Sequence, residues 1–268
     1  MDKRRALREE GRIFCKETIR EYLTEDLKGI DIHTFSEIDS TNTYLKEGIE
    51  ERKNFETALA DLQLKGRGRF GRTFESPKDG LYMSFVIDKN FYPIDTLTTI
   101  RAVVAAHRVL IKYEEDLKIK WVNDLYLHGK KVAGILTEGR VDIETGEIKK
   151  CVVGIGININ TCDFSEEVSK IAGTLFIDED KNKIAAEILN SFYELKDVRD
   201  EDIVKYFEKY HMLKDREVYF VKENKMLTGK VTGIDVKGYL RVLTHGGEIL
   251  LKSGEVSVKT LDTGGFPY

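Results

Sequence analysis

The sequence is poor in the residues that usually staple or punctuate a chain. Of its 268 residues only three are cysteine and three are proline. Cys15, Cys151 and Cys162 are too few and too scattered for a disulfide framework or a cysteine-based zinc site. With proline confined to positions 77, 93 and 267, element ends must be read from glycine and from hydrophobic periodicity. There is no apolar run long enough to span a bilayer. The charged opening, MDKRRALREEGR, has no apolar stretch behind it and does not resemble a secretion signal. A reducing, cytoplasmic compartment and no membrane partner are expected. Net charge is also small, −4 from 43 basic and 47 acidic residues, so the chain as a whole lacks the cationic excess of a generic nucleic-acid binder.

What is present is an ordinary soluble composition, 41% hydrophobic and 34% charged, on a length that suits one large domain or a medium one plus a small one. The spacing of Phe14, Ile19, Tyr22, Leu23 and Leu27 predicts one helix over 14–28, closed near Gly29. A strand is expected over 32–38, then a helix capped by the Ser40-Thr-Asn-Thr stretch and running to about residue 50. Strands over 57–64 and 80–87 flank a loop at 65–79, and 95–112 reads as a long core helix. Strands near 118–121, 125–128, 131–140 and 149–160 follow, then helices over 181–196 and 201–213. From Arg216 the texture changes to five short strands with glycine turns, the pattern of a small β-barrel. The pattern is thus an α/β domain of catalytic size with a β appendage.

The strongest local anomaly is Lys65-Gly-Arg-Gly-Arg-Phe-Gly-Arg72, with four cations, three glycines and no acid. Glycines let backbone N–H groups approach an anion, and several guanidiniums can neutralise a polyphosphate. A solvated loop or an RNA-contacting patch is the plainer alternative. Gly66-x-Gly68-x-x-Gly71 also matches the dinucleotide-binding fingerprint, but no helix is expected to start there, so that reading is rejected. A second anomaly is Lys120-Trp-Val-Asn-Asp124, followed by Lys131 entering an apolar strand. An aspartate at a strand end can hold magnesium through substrate phosphates, and a poorly hydrated lysine needs an anion to meet. Turn chemistry and hairpin surface charge explain each piece equally well when taken alone. The third is Gly154-Ile-Gly-Ile-Asn158, where alternating glycines permit close approach to a strand and Asn158 is able to read a heterocycle edge.

Taken in order, these segments resemble the biotin protein ligases. The resemblance runs from Asp39-Ser-Thr-Asn42 through Gln63, the Arg/Gly loop, Gly80-Leu-Tyr-Met-Ser, Lys120-Trp-Val-Asn-Asp124, Lys131-Val-Ala-Gly-Ile-Leu136 and Gly154-Ile-Gly-Ile-Asn158 to Gly254-Glu-Val-Ser, covering 30–260. It implies a mixed central sheet with flanking helices plus a C-terminal SH3-like barrel, divided as an N-terminal extension over 1–30, a catalytic domain over 31–213 and the barrel over 214–268. It implies activation of biotin by ATP and Mg2+ to biotinyl-5′-AMP, followed by transfer to a lysine of a biotin carboxyl carrier domain of a biotin-dependent carboxylase.

Residue by residue, the resemblance places Ser40, Thr41, Asn42, Gln63, Arg67, Gly68, Arg69, Lys131 and Gly134 around biotin. It places Arg67, Arg69, Arg72, Phe74, Asn123, Asp124, Lys131 and Asn158 around ATP or the adenylate. Lys131 and Arg69 take the catalytic roles, and Asp124 is the expected metal contact, through phosphates. Two departures stand out: Val122 where the family usually has proline, and Phe74 where many members have tryptophan. Some members carry an N-terminal DNA-binding module of about sixty residues. Only thirty precede the catalytic domain expected over 31–213, so no specific DNA binding is expected. The resemblance also allows a homodimer through the edge of the central sheet. Lipoate ligation is the nearest rival activity; a biotin sensor or nucleic-acid module without turnover is the rival from another class.

Overall fold

The computed structural model describes residues 14–142, 145–161, 163–222 and 225–252, together with the backbone of 258–260. The basic stretch from Lys3 to Arg12, Cys162 and the Gly254-Glu-Val-Ser motif lie outside the described residues.

The centre is a seven-stranded mixed sheet in the order β1-β2-β3-β7-β6-β5-β4. The strands are β1 (Ile32–Ile38), β2 (Thr57–Gln63), β3 (Leu81–Asp88), β4 (Lys118–Lys120), β5 (Asp124–Leu127), β6 (Lys130–Val141) and β7 (Ile148–Ile157). The pair β1 and β2 is parallel and every other neighbouring pair is antiparallel. Successive side chains on a strand point to opposite faces. On β6 and β7 that alternation sorts Ala133, Ile135, Val153 and Ile155 into the buried core and leaves Gly134, Gly154 and Gly156 on the other face. The core face is covered by the long helix α3 (Thr96–Leu110), with α5 (Lys181–Glu194) packed beside it. Asp95 starts α3 with a reciprocal capping box to Thr98, and Asp180 caps α5 through the Asn182 N–H.

The predicted helix over 14–28 is instead two pieces. Helix α1 (Lys16–Tyr22) ends, and a single 3-10 turn covers Glu25–Leu27. The break is held by Asn190 of α5, whose amide donates to the Tyr22 carbonyl at 2.8 Å and accepts the Thr24 N–H at 3.0 Å. A tertiary partner thus satisfies backbone groups that a continuous helix would have paired internally. Similarly α2 (Thr41–Lys46), capped by Ser40, stops short of residue 50. Arg52 donates to the Tyr44 carbonyl at 2.9 Å and to the Glu47 carbonyl, and Gly48 turns the chain at φ +67. Among the described residues the remaining α-helices are the single-turn α4 (Glu166–Ser169), which periodicity did not predict, and α6 (Asp200–Tyr210).

The C-terminal strands β8 (Glu217–Lys222), β9 (Lys225–Ile234), β10 (Leu240–Thr244), β11 (Gly247–Leu251) and β12 (Val258–Thr260) form one antiparallel sheet in the order β11-β10-β9-β8-β12. This arrangement fits the SH3-like appendage. Its β9–β10 turn docks beside the central sheet: the buried Trp121 indole donates to the Gly238 carbonyl at 3.0 Å. Gly238 needs its φ of +80, and a Cβ there would meet Ile100 at 2.6 Å. No described helix is long and apolar enough to cross a membrane.

Candidate active site

A cleft of about 540 Å³ opens on the glycine face of the sheet, and every residue that the resemblance places at biotin or ATP lines it: Ser40, Thr41, Asn42, Gln63, Arg67, Gly68, Arg69, Arg72, Phe74, Asn123, Asp124, Lys131, Gly134 and Asn158. Residues from six separate segments therefore converge, although the chain brings them from positions 40 to 158.

The floor is flat because it has no side chains where they would interfere. A Cβ on Gly156 would lie 2.6 Å from the Phe74 ring, and one on Gly134 would meet the Lys131 side chain at 2.9 Å. A Cβ on Gly154 would sit 1.9 Å from Asn42 Oδ1. Phe74 thus lies against the bare strands, with the Lys131 ammonium 5.5 Å from its ring centre.

The Arg/Gly loop closes one side. Its arms pair across Arg67 and Thr73, with Gly68 N–H on the Arg72 carbonyl at 2.7 Å and Phe74 N–H on the Gly66 carbonyl at 2.9 Å. At the tip, Phe70 and Gly71 take left-handed backbone (φ 57 and 73), around a 3-10 turn rather than the helix a dinucleotide fingerprint requires. Arg69 reaches inward to Asn123 Oδ1 at 3.4 Å. Burial and the neighbouring Arg72 push the Arg69 guanidinium below its ordinary range, with Asp124 opposing. The cleft carries five cations, Arg67, Arg69, Arg72, Lys120 and Lys131, against two carboxylates, Glu75 and Asp124. In a chain of net charge −4 this is a local positive basin, suited to a polyanion.

Lys131 and Asp124 face one another on β6 and β5, with Nζ 2.7 Å from Oδ1. The lysine that enters an apolar strand has therefore met its anion. Asn123 is fixed by donating from Nδ2 to the Ile135 carbonyl at 2.7 Å. The preceding Trp121–Val122 peptide is cis, and Val122 is buried. At the far end Asn158 donates to the Gly173 carbonyl at 2.8 Å, while its buried Oδ1 has no hydrogen-bond partner among the described residues. A buried acceptor left open in this way is suited to an N–H of a ligand.

Opposite the cations lies a neutral polar corner. Ser40 caps α2, Thr41 N–H donates to Gln63 Oε1 at 2.9 Å, and Gln63 donates to Ser76 at 3.0 Å. Thr41 and Ser84 hydroxyls meet at 2.7 Å, and Ser84 donates to Asn42 Oδ1 at 2.6 Å. Sequence reasoning missed Ser76 and Glu138 here, and gave no role to Ser84, quoted only within Gly80-Leu-Tyr-Met-Ser. A serine in the strand 80–87 carries no signal alone; Glu138, an acid ending a run of apolar strand residues, carried a faint one.

The comparisons with known proteins agree with this geometry. The sequence model described as the biotin/lipoate A/B protein ligase family matches 34–158, and the biotin protein ligase C terminal domain matches 215–259. The chain is 32% identical over 249 residues to the bifunctional ligase/repressor BirA of Escherichia coli (strain K12), covering 85% of this chain and 76% of that protein. It is 33% identical over 241 residues to BirA of Salmonella typhimurium, covering 81% and 73%. Among solved structures, the biotin protein ligase from Aquifex aeolicus in complex with biotin and ATP superposes with a TM-score of 0.74 at 30% identity, covering 86% of this chain and 99% of that one.

Proposed function

The chain belongs to the biotin/lipoate A/B protein ligase family, among its biotin protein ligases, and from that premise we propose that its cleft makes biotinyl-5′-AMP and hands the biotinyl group to a carrier lysine. The observation that carries this reading is the juxtaposition, in one cleft, of the neutral corner at Thr41, Asn42 and Gln63 with the cationic basin at Arg67, Arg69 and Lys131. The corner suits a ureido ring, which offers two N–H donors and one carbonyl acceptor. The basin suits a carboxylate and a triphosphate brought together.

In the first half-reaction a carboxylate oxygen of biotin bonds to the α-phosphorus of ATP. The bond from that phosphorus to the β-bridging oxygen breaks, and pyrophosphate leaves. Anion meets anion, so stabilisation must come from charge aimed where negative charge gathers. Lys131 takes this role between the biotin carboxylate and the α-phosphate, with Asp124 orienting its ammonium; Arg69, desolvated and facing Asn123, supplies the second cation. Ser40, Thr41, Asn42, Gln63, Gly68 and Gly134 surround biotin, Arg67 serves both ligands, and Arg72, Phe74, Asn123 and Asn158 surround the nucleotide, with the open Asn158 Oδ1 accepting from the adenine amine. In the second half-reaction the carrier lysine amine attacks the acyl carbon, the amide forms with loss of a proton, and AMP departs. A site screened from water protects the adenylate until then.

Magnesium fits as an ion carried on the nucleotide. Among the described residues no three metal-ligating side chains cluster; Glu75 is engaged with Ser165 at 2.8 Å, and Asp124, whose Oδ1 also meets Lys131, is the carboxylate that would contact the ion. Bound to triphosphate oxygens, with water completing its shell, it would neutralise the leaving pyrophosphate.

Lipoate ligation is not favoured, because a dithiolane has no ureido edge for the Thr41–Gln63 corner to read. The test is isotopic pyrophosphate exchange into ATP with Mg2+ and either acid. Exchange is expected with biotin alone; exchange with lipoate only, or with neither, overturns the assignment.

A further inference from the structure

Behind the neutral corner the hydrogen bonds form a chain with only one allowed direction. It ends on Glu138, which is four residues beyond Gly134 on β6, shares its face and is itself only 15% exposed. Lys46 Nζ lies 2.7 Å from Glu138 Oε1, Arg67 Nη2 lies 3.3 Å from the same oxygen, and Asn42 Nδ2 lies 3.1 Å from Oε2. A carboxylate held by two cations can only accept, so it forces the Asn42 amide to turn its NH2 inward. The Leu136 carbonyl, also an acceptor, takes the same NH2 at 3.3 Å. Asn42 Oδ1 must then face Ser84, whose one hydroxyl proton it accepts at 2.6 Å. With that proton committed, Ser84 Oγ accepts from the Thr41 hydroxyl, 2.7 Å away, and Gln63 Oε1, the other acceptor within reach of that hydroxyl, lies farther off at 3.2 Å. The Thr41 hydroxyl, buried at the cleft wall, is thereby left with lone pairs and no free proton.

We infer that Glu138 is a positioning residue that sets the donor–acceptor polarity of the biotin pocket, acting through Asn42 and Ser84 to make the Thr41 hydroxyl an acceptor for a ligand N–H. The inference deepens the reading of the cleft as a biotin site and rests on it. Glu138 does not line the cleft; it acts at one end of a relay whose other end does. Replacement by glutamine keeps size and shape but lets its amide present NH2 to Asn42, so the relay can run backwards. Thr41 would then accept from Ser84, and its own proton, held only by the longer 3.2 Å contact to Gln63 Oε1, would compete with the one the ligand offers.

The experiment compares biotin with biotin methylated at a ureido nitrogen, by calorimetric Kd and by pyrophosphate exchange, in the wild type, Glu138→Gln, Glu138→Asp and Ser84→Ala. For Glu138→Gln, Kd and KM for biotin are expected to rise about tenfold, the worth of one good hydrogen bond. Its kcat at saturating biotin stays within about threefold, as for a loss of uniform binding. The analogue, which lacks one N–H, is expected to lose less, so discrimination between the two ligands shrinks. Ser84→Ala, which cuts the relay in its middle and leaves only Gln63 Oε1 to take the Thr41 proton, shows the same pattern in weaker form, and Glu138→Asp restores part of the discrimination. Unchanged biotin affinity in Glu138→Gln, or an equal loss for biotin and analogue in both Glu138→Gln and Ser84→Ala, overturns the inference while leaving the ligase reading intact. A wild type without biotin-dependent exchange overturns that reading first, and this inference with it.

Discussion

The two faces of the central sheet are made from the same strands yet obey opposite rules. On the helix side, Ala133, Ile135, Val153 and Ile155 are buried under α3 and fill space. On the cleft side, the alternate positions Gly134, Gly154 and Gly156 leave space, and Phe74, Asn42 and Lys131 lie in it. One residue of register separates a packing position from a binding position. Side chains on the first face should therefore govern stability, and absent side chains on the second should govern ligand binding.

The sharpest break of that comparison is Lys131→Ala. Removing the one ammonium beside Asp124 should lower biotin-dependent pyrophosphate exchange by roughly 10³-fold, the size of losing a preorganised charge contact, without changing the melting temperature. A parallel loss of stability would mean that Lys131 belongs to the scaffold. On the other face the signs reverse. Ile157→Ala, buried opposite Ala133 on this face and outside the cleft lining, should cost about 2–5 kcal/mol in denaturant unfolding while KM for biotin and ATP stays near wild type. Gly154→Ala adds one methyl where Asn42 Oδ1 already lies, so its effect should fall on biotin: KM for biotin rises by about tenfold or more, measured by exchange, with KM for ATP little changed. Equal effects on both substrates would show that the whole sheet had shifted.

The smallest effect near neutral pH comes from the scaffold. His107, buried between Tyr206 and the Leu117 carbonyl, has its pKa pushed down to about 4 by burial, and burial pushes His211 down to about 3. Both sit below the unfolded value of 6.5, so the unfolded chain binds more protons as pH falls beneath 6.5. Stability is then present above that value and is lost progressively toward pH 4. Urea midpoints measured across that range should fall with acid, and His107→Gln should flatten part of the slope. Glu138 adds to the same trend: desolvation works against its charge, but hydrogen bonds from Lys46 and Asn42 hold its carboxyl below the usual value, so its contribution is lost only as that lowered pKa is approached.

Much of this was legible from the chain alone. The strand over 32–38 appeared as drawn by its pattern, and the cations of the Arg/Gly loop do converge with Lys131, Asp124 and Asn158 in one cleft. Those residues announced themselves because each breaks a local rule: charge among glycines, a lysine in an apolar strand, glycines inside a strand. What stayed hidden depends on partners far along the chain. The break after Tyr22 is made by Asn190, which no local window contains. Ser84 and Glu138 matter through Asn42, more than forty residues before either, and a serine or glutamate in a strand looks the same whether or not such a partner exists. The single-turn α4, four residues long, is too short to leave a period.

The most direct test of the account is transfer itself. The protein is incubated with biotin, Mg-ATP and a purified biotin carboxyl carrier domain, and the carrier is examined by intact and peptide mass spectrometry. The account predicts one added biotinyl group, on a single lysine of the carrier, dependent on ATP and abolished in Lys131→Ala. A carrier that stays unmodified while the protein binds biotin, or modification that persists in Lys131→Ala, would contradict it.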